Sequence, residues 1–492
     1  MNVERSDHAT QYPQRPSAIA ARRTVSVLAC LACMHAMAFD PFDSRRSVPE
    51  TAAAPLLGPA AVCRFDMPGT PLKLEEAIER GLCNNPKTRQ TWASIKVQAA
   101  AVGAARATYL PSINASAQAV HDEAVTDVSG RPDLSSQNHA LVQSQTISLS
   151  WVLFDFGGRE AALHNAQELL AAAQANHDAL LQTVFAAVAK DYYTAQGAQG
   201  ALAAALDIER SANESFVAAT GRVERGAAPV SDALQAQTAY AQATIGRTRA
   251  EGNLQSTLGV LAVDLGLRPD ARLILPAVTE GVTADKDFLR SVSELMEEAE
   301  RTSPNVQQAR AQLRASQAKT DQVRAEGLPS VSVVAKAGHN NQRASQGLGL
   351  PQYPATGRDW SVGVQVNVPL FEGLSRSYQV RQAEAQSELQ RATLDQVRQQ
   401  VALDVWTGYH DLQTATQSVI NNSRLLKLAE ASRAATEERY VAGVGSIVEL
   451  LSAQSALAEA KNQHLRALTD WRISRLQLAE KLGTLGMWLV YP

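Results

Sequence analysis

An internal duplication constrains this chain more than any other feature of it. Asn85-Pro86 recurs as Ser303-Pro304 and Leu110-Pro111-Ser112 as Leu328-Pro329-Ser330, both displaced by 218 residues. Leu153-Phe154-Asp155 recurs as Leu370-Phe371-Glu372, Arg225-Gly226 as Ala442-Gly443, and Asp264-Leu265-Gly266 as Lys481-Leu482-Gly483, all displaced by 217. Two collinear copies separated by one insertion or deletion therefore fill most of the chain. Whatever one copy folds into, the other must repeat.

Each copy keeps one internal order. A helix is expected over residues 86–109 and 304–326, ending at Leu-Pro-Ser, where proline lacks the next helical donor and disfavours helix in the residue before it. Period-two alternation follows. Ile113, Ala115, Ala117 and Ala119 face away from Asn114, Ser116 and Gln118, and Val331, Val333 and Ala335 from Ser330 and Ser332. After an expected polar loop over 121–144 or 339–359, a second alternating strand returns. It carries Ile147, Leu149, Trp151 and Leu153 in the first copy, and Val362, Val364, Val366 and Val368 in the second. Each hairpin is apolar on one face and small or polar on the other.

Beyond each hairpin the chain turns Ala, Gln and Leu rich and lacks proline, with none between Pro132 and Pro229 or between Pro369 and Pro492. Long helices are expected there. Leu394, Val397, Val401, Val405, Tyr409 and Leu412 recur with a period near 3.6 and predict one packed face. Residues 158–225 would span about 100 Å at 1.5 Å per residue. Each long helix turns at a glycine tip, Gly226-Ala227-Ala228-Pro229 or Gly443-Val444-Gly445-Ser446, and returns as a shorter one. Gly226 and Gly443 suit the left-handed position after a helix C-terminus.

Composition narrows the function. The 492 residues carry 46 Lys+Arg against 49 Asp+Glu, a formal net charge of -3, which excludes a nucleic-acid binder driven by bulk positive charge. Aromatic residues make up only 5%, too few for several large cores, so an elongated helical protein is expected. Arg22-Arg23, an apolar run to Met34 and Ala36-Met37-Ala38 read as a signal peptide cleaved after Ala38. Cys30 and Cys33 fall inside its apolar run. The expected organisation is a signal peptide (1–38), a Pro-rich leader (39–71), a first repeat (72–285), a second repeat (286–483) and a C-terminal tail (484–492). Cys63 and Cys83 remain after export, and an oxidising compartment makes a disulfide between them the expectation.

No HExxH, GxGxxG, P-loop or GxSxG motif occurs, and His164, His177, His410 and His464 are scattered along expected helices. No enzyme, cofactor or metal site is expected. Four short strands with an apolar face and open edges cannot stand alone in hydrocarbon, because unpaired backbone groups are too costly there. Other chains must close them: two copies give eight strands packed shut, three give twelve around a water-filled lumen. A soluble helical scaffold and a pore without partners are the competing classes. The first does not need the apolar hairpins, nor the second the paired glycine tips.

This plan, with Leu153-Phe154-Asp155-Phe156-Gly157-Gly158, resembles the TolC family of trimeric outer-membrane channel-tunnels over residues 72–483. The resemblance implies a mainly α fold with transmembrane β structure: a homotrimer whose twelve-stranded barrel, four strands per chain, continues into a long α-helical barrel. It implies a passive duct in the outer-membrane lipid that reaches into the periplasm and works with a periplasmic membrane-fusion adaptor and an inner-membrane transporter. Cys63 and Cys83 around Pro71-Leu72-Lys73-Leu74 look most like the type I secretion branch, which takes an ABC transporter and exports toxins such as adenylate cyclase haemolysin. The alternative is drug efflux with an RND pump. In Ser446-Ile447-Val448-Glu449-Leu450-Leu451-Ser452, Glu449 matches the first acidic position of the family's constriction and Ser452 stands at the second. Asp232 and Tyr440 match two of three gate contacts. Gly445 occupies the place of the third, an arginine, for which Arg225 or Arg439 would have to substitute. Gly226, Gly443 and Gly445 would also belong to the tips that dock the adaptor. For Asp232 and Glu449 the competing reading is a carboxylate favoured by a helix N-terminus.

Overall fold

The computed structural model describes residues 40–58, 63, 71–276, 291–341, 353 and 355–486. The expected cleavage site after Ala38 lies outside them. In the first copy α1 (Leu74–Asn84) and α2 (Pro86–Ala107) lead into β1 (Ser112–Thr126), β2 (Ser136–Phe154), α3 (Gly158–Glu224) and α4 (Val230–Asp264). The second copy repeats the order with α5 (Val292–Thr302), α6 (Pro304–Ala325), β3 (Ser330–Asn340), β4 (Gly357–Asn367), α7 (Ser375–Val441) and α8 (Ile447–Lys481). Corresponding helices have equal lengths of 11, 22, 67 and 35 residues. None is long and apolar enough to cross a membrane.

Local chemistry sets these boundaries. Asn85 caps α2 by accepting a hydrogen bond from the Lys87 amide at 2.9 Å, and Pro86 fills the first helical position, where its missing donor costs nothing. Both long helices begin at a turn of two successive left-handed residues, Phe156 (φ 52) and Gly157 (φ 89), or Gly373 (φ 62) and Leu374 (φ 66). Each turn is braced by an ion pair at equivalent places. Arg159 reaches Asp155 at 3.1 Å, and Arg376 reaches Glu372 at 3.1 Å.

The four strands form one antiparallel sheet in sequence order. The register gathers the apolar positions of all four strands into rows on one face. Ile113, Leu149, Ala335 and Val362 form one row, and Ala115, Ile147, Ala337 and Trp360 the next. On the other face the rows read Asn114, Ser148, Lys336 and Ser361, then Ser116, Thr146, Gly338 and Asp359. A sheet with one apolar and one polar face, exposed on both sides and unpaired along β1 and β4, is a fragment of a larger closed structure.

The first hairpin corrects the expected loop over 121–144. β1 runs on to Thr126 and β2 starts at Ser136, in unbroken register. Backbone pairing needs no apolar alternation, so a polar strand reads as a loop by composition. Cross-strand partners support it: His139 lies opposite Glu123, its ring nitrogen 3.6 Å from the carboxylate. The second expected loop, 339–359, is shortened too, because β3 continues to Asn340 and β4 begins at Gly357.

Alanine makes up much of the buried face of α3, which lets helices approach closely; Ala186, Ala189, Ala195 and Ala219 are all buried. Two larger cores sit at mid-height. In the first copy Leu72, Ile78 and Leu82 join Leu181, Phe185, Leu261 and Leu265. In the second Leu295 and Val306 join Leu394, Val401, Val405, Leu412, Trp471 and Leu478, which includes the stripe read from the sequence. Cys63 and Cys83 are joined by a disulfide with Cα atoms 5.5 Å apart, tying the leader to α1.

Candidate functional site

The two helical hairpins meet at their tips in a small core of Ala219, Ala236, Tyr440, Ile447 and Leu450. Both tips close the same way. Gly226 (φ 65) and Gly443 (φ 76) adopt the left-handed conformation, and the next amides fold back five residues, Ala227 to the Arg222 carbonyl at 2.8 Å and Val444 to the Arg439 carbonyl at 3.1 Å. This motif satisfies the last carbonyls of each long helix. A Cβ at either glycine would meet nothing within 4 Å, so backbone conformation alone demands glycine there.

Gly445 differs. A Cβ there would stand 3.0 Å from the Tyr440 nitrogen and 3.1 Å from the Arg439 carbonyl carbon. Glycine fills the expected arginine's place because the chain presses against the end of α7.

Asp232 and Glu449 occupy the same position in their copies, 217 residues apart and third in α4 and α8. Ser446 caps α8 by accepting from the Glu449 amide at 3.2 Å, while α4 starts at Pro229 without a side-chain cap. The carboxylates therefore sit where the helix dipole favours negative charge. Glu449 is half exposed and lies 3.6 Å from Arg439. Ser452 lies one turn further along α8 and is exposed. Asp232 accepts a hydrogen bond from Ser231 at 3.4 Å. Among the described residues no hydrogen bond or ion pair joins Asp232 to Tyr440, to Arg225 or to Arg439.

Tyr440 has another partner. Arg222 near the end of α3 donates to the Tyr440 carbonyl at 2.8 Å, and its guanidinium carbon lies 4.2 Å from the centre of the Tyr440 ring. This arginine thus binds the C-terminus of α7, where cations are favoured, and stacks on a buried aromatic face. Of the two arginines expected to substitute, Arg439 pairs with Glu449 and Arg225 with neither gate residue. The sequence reading missed Arg222, although the duplication contains the signal: Arg222 and Arg439 are 217 residues apart. Equivalent arginines have separate tasks, one spanning the two hairpins and one staying within its own. No grouping of three or more His, Cys, Asp or Glu able to hold a metal occurs among the described residues.

Comparison with known proteins agrees with this architecture. The outer membrane efflux protein family matches residues 77–266 and 295–484, one block in each copy. Protein CyaE of Bordetella pertussis is 33% identical over 415 residues, covering 84% of this chain and 85% of that protein. Outer membrane protein TolC of Escherichia coli is 22% identical over 420 residues, covering 84% and 82%. Among solved structures, a membrane protein from Pseudomonas aeruginosa superposes with a TM-score of 0.71 at 22% identity, covering 86% of this chain and 99% of that one. The outer membrane protein VceC of Vibrio cholerae gives 0.70 at 19% identity, covering 83% and 96%. In both copies, in sequence and in fold, the chain belongs to the family of outer membrane efflux proteins.

Proposed function

We propose that three copies of this chain form the outer-membrane channel-tunnel of a tripartite export machine and serve as a passive duct for type I protein secretion. One observation carries the reading: a sheet with two free edges, one apolar face and one polar face, leading directly into helices about 100 Å long. Twelve strands close a barrel with a wet lumen, and the apolar rows meet lipid. The duct spans the outer membrane, extends through the periplasm, and meets its adaptor at the Gly226 and Gly443 tips. The adaptor connects it to an inner-membrane ABC transporter. No step of chemistry is assigned to the duct. The similarity to protein CyaE over 84% of the chain supports the secretion branch. The probable efflux pump outer membrane protein TtgC of Pseudomonas putida, at 25% identity over 420 residues, supports the second reading, an efflux outlet working with an RND pump.

Glu449 forms the one acidic ring of the constriction, with Ser452 at the neighbouring level. Conductance of the purified protein in a planar bilayer tests this. Wild type should conduct weakly with cation preference, and Glu449→Gln should lose that preference; unchanged selectivity in a conducting variant removes Glu449 from the pore. Deleting the gene separates the two branches. Lost secretion of a protein toxin with unaltered drug sensitivity supports secretion, and the reverse phenotype assigns the chain to efflux.

A further inference from the structure

The leader crosses the outside of α2 and α3, and side chains of those helices hold it by its backbone. Arg106 donates to the Phe42 carbonyl at 3.1 Å, Gln174 to Ser47 at 2.8 Å and Trp92 to Pro49 at 2.9 Å. His177, buried, has a ring nitrogen 2.8 Å from the Ala52 carbonyl. A carbonyl only accepts, so this nitrogen carries the proton, and the other, 2.7 Å from the Thr91 hydroxyl, accepts. Ala53, Leu56 and Leu57 then join the core that contains Leu180, Leu181 and Val184. The face between α2 and α3 is therefore a built receptor for an extended peptide.

The duplication makes the same face again between α6 and α7, with no described segment lying over it. An open groove of about 280 Å³ is found there. Val397 and Val401, its apolar floor, are equivalent to Leu180 and Val184 under the leader. Gln308, Gln312 and Gln400 line it with amides able to bind peptide backbone. Two of the leader-holding donors become stronger donors: Trp92 is matched by Arg310, and Gln174 by Arg391. Neither arginine has an ion pair or side-chain hydrogen bond among the described residues. The nearby acids are engaged on their own helix, Asp395 with Arg398 at 3.6 Å and Asp404 with Gln400 at 2.9 Å. The position of His177 is taken by Leu394, which turns into the core.

We propose that the groove between α6 and α7 docks an extended, acidic segment of a partner protein, whose carbonyls and carboxylates Arg310 and Arg391 read as the leader's carbonyls are read between α2 and α3. Charge complementarity selects this occupant, because two unpaired guanidinium groups stand where neutral donors suffice for a neutral strand. The proposal rests on the trimeric reading only for the number of copies, three grooves around one duct.

The test uses the full-length purified protein and two fluorescent peptides. One has the sequence of residues 47–58, and the other is the same peptide with Thr51→Glu and Ala54→Glu. The acidic peptide should bind saturably, once per chain, and more tightly than the neutral one. Binding should weaken about tenfold in Arg310→Gln/Arg391→Gln and again near 1 M salt, where the screening length is about 3 Å. It should also shield Gln312→Cys from maleimide. Both arginines lie outside the core, so the double variant should keep its thermal midpoint. Absence of saturable binding, equal binding to the double variant, or a Gln312→Cys thiol that never reacts because a neighbouring copy covers it overturns the proposal. Loss of binding in Trp92→Ala instead would show displacement of the leader and overturn it equally.

Discussion

Single residues at the tips carry unequal weight. The contact between Arg222 and the end of α7 combines a guanidinium on an aromatic face with a hydrogen bond to a helix-terminal carbonyl, together worth about 1–2 kcal/mol. Arg222→Ala should loosen the hairpins against each other and appear as more frequent, larger openings in single-channel records. Arg439→Ala should change opening far less, since it breaks a pair that is more than half exposed on Arg439. Equal effects would mean that the duplication, not the buried Tyr440, decides the latch. Mid-height offers a pH test. Burial, a hydrogen bond to Asp264 and that neighbour's charge raise the Asp191 carboxyl from 3.8 to about 7, with Lys190 opposing. A raised folded-state value stabilises fully below about pH 4, and the contribution is lost as pH rises to about 7. Solvent screening of this half-buried side chain limits it to about 1 kcal/mol. The thermal midpoint should fall across that window. Asp191→Asn should flatten part of the slope, with Asp178, raised to about 6 by burial, supplying more of the same sign. An unchanged slope in Asp191→Asn would show that the carboxyl pair is not what titrates.

At the scale of elements, the strand-to-helix turns and the leader tie show how the pieces are joined. Each long helix starts from two left-handed residues, one glycine and one not, with the glycine in opposite order in the two copies. A non-glycine residue there costs about 1–2 kcal/mol. Leu374→Gly should therefore stabilise the second turn, while Gly157→Val should destabilise the first by at least as much; thermal unfolding of both variants checks the pair. The disulfide closes a sequence separation of 20 residues, for which loop entropy gives about 3 kcal/mol. Cys83→Ser should lower the thermal midpoint. It should also expose the leader to protease ahead of the rest of the chain, because Arg106, Trp92 and Gln174 alone must then retain it. Cleavage unaltered from wild type would assign the retention to those side chains. The extension of β1 to Thr126 belongs to this scale too. Polar strands beyond a membrane carry no alternation to read, and only the register with β2 reveals them.

For the whole molecule, the strongest consequence is that one chain is incomplete. The free edges of β1 and β4 and the apolar rows between them require other copies, so light scattering in mild detergent should report three chains and no stable monomer. A well-folded monomer would remove the barrel reading altogether. Much of this architecture was legible without coordinates. The displaced motifs defined two copies, proline placed the helix ends, alternation placed the hairpins, and Leu394 to Leu412 marked the packed face of α7. These are local or periodic signals, and they survive because neighbours along the chain impose them. The tip was legible only in part. Asp232, Glu449, Gly226 and Gly443 stand at positions set by local helix capping and could be found by shift alone. The partner of Tyr440 could not, because Arg222 comes from the other hairpin, 218 residues away. The same limit hid the leader's path and the fit of glycine at 445, both of which depend on packing between distant segments. Sequence by itself thus determined the repeats, the elements and their polarity, which follow from periodicity and backbone preference. The tertiary structure alone decided which equivalent residues part company, since two identical local environments diverge only when different neighbours are brought against them.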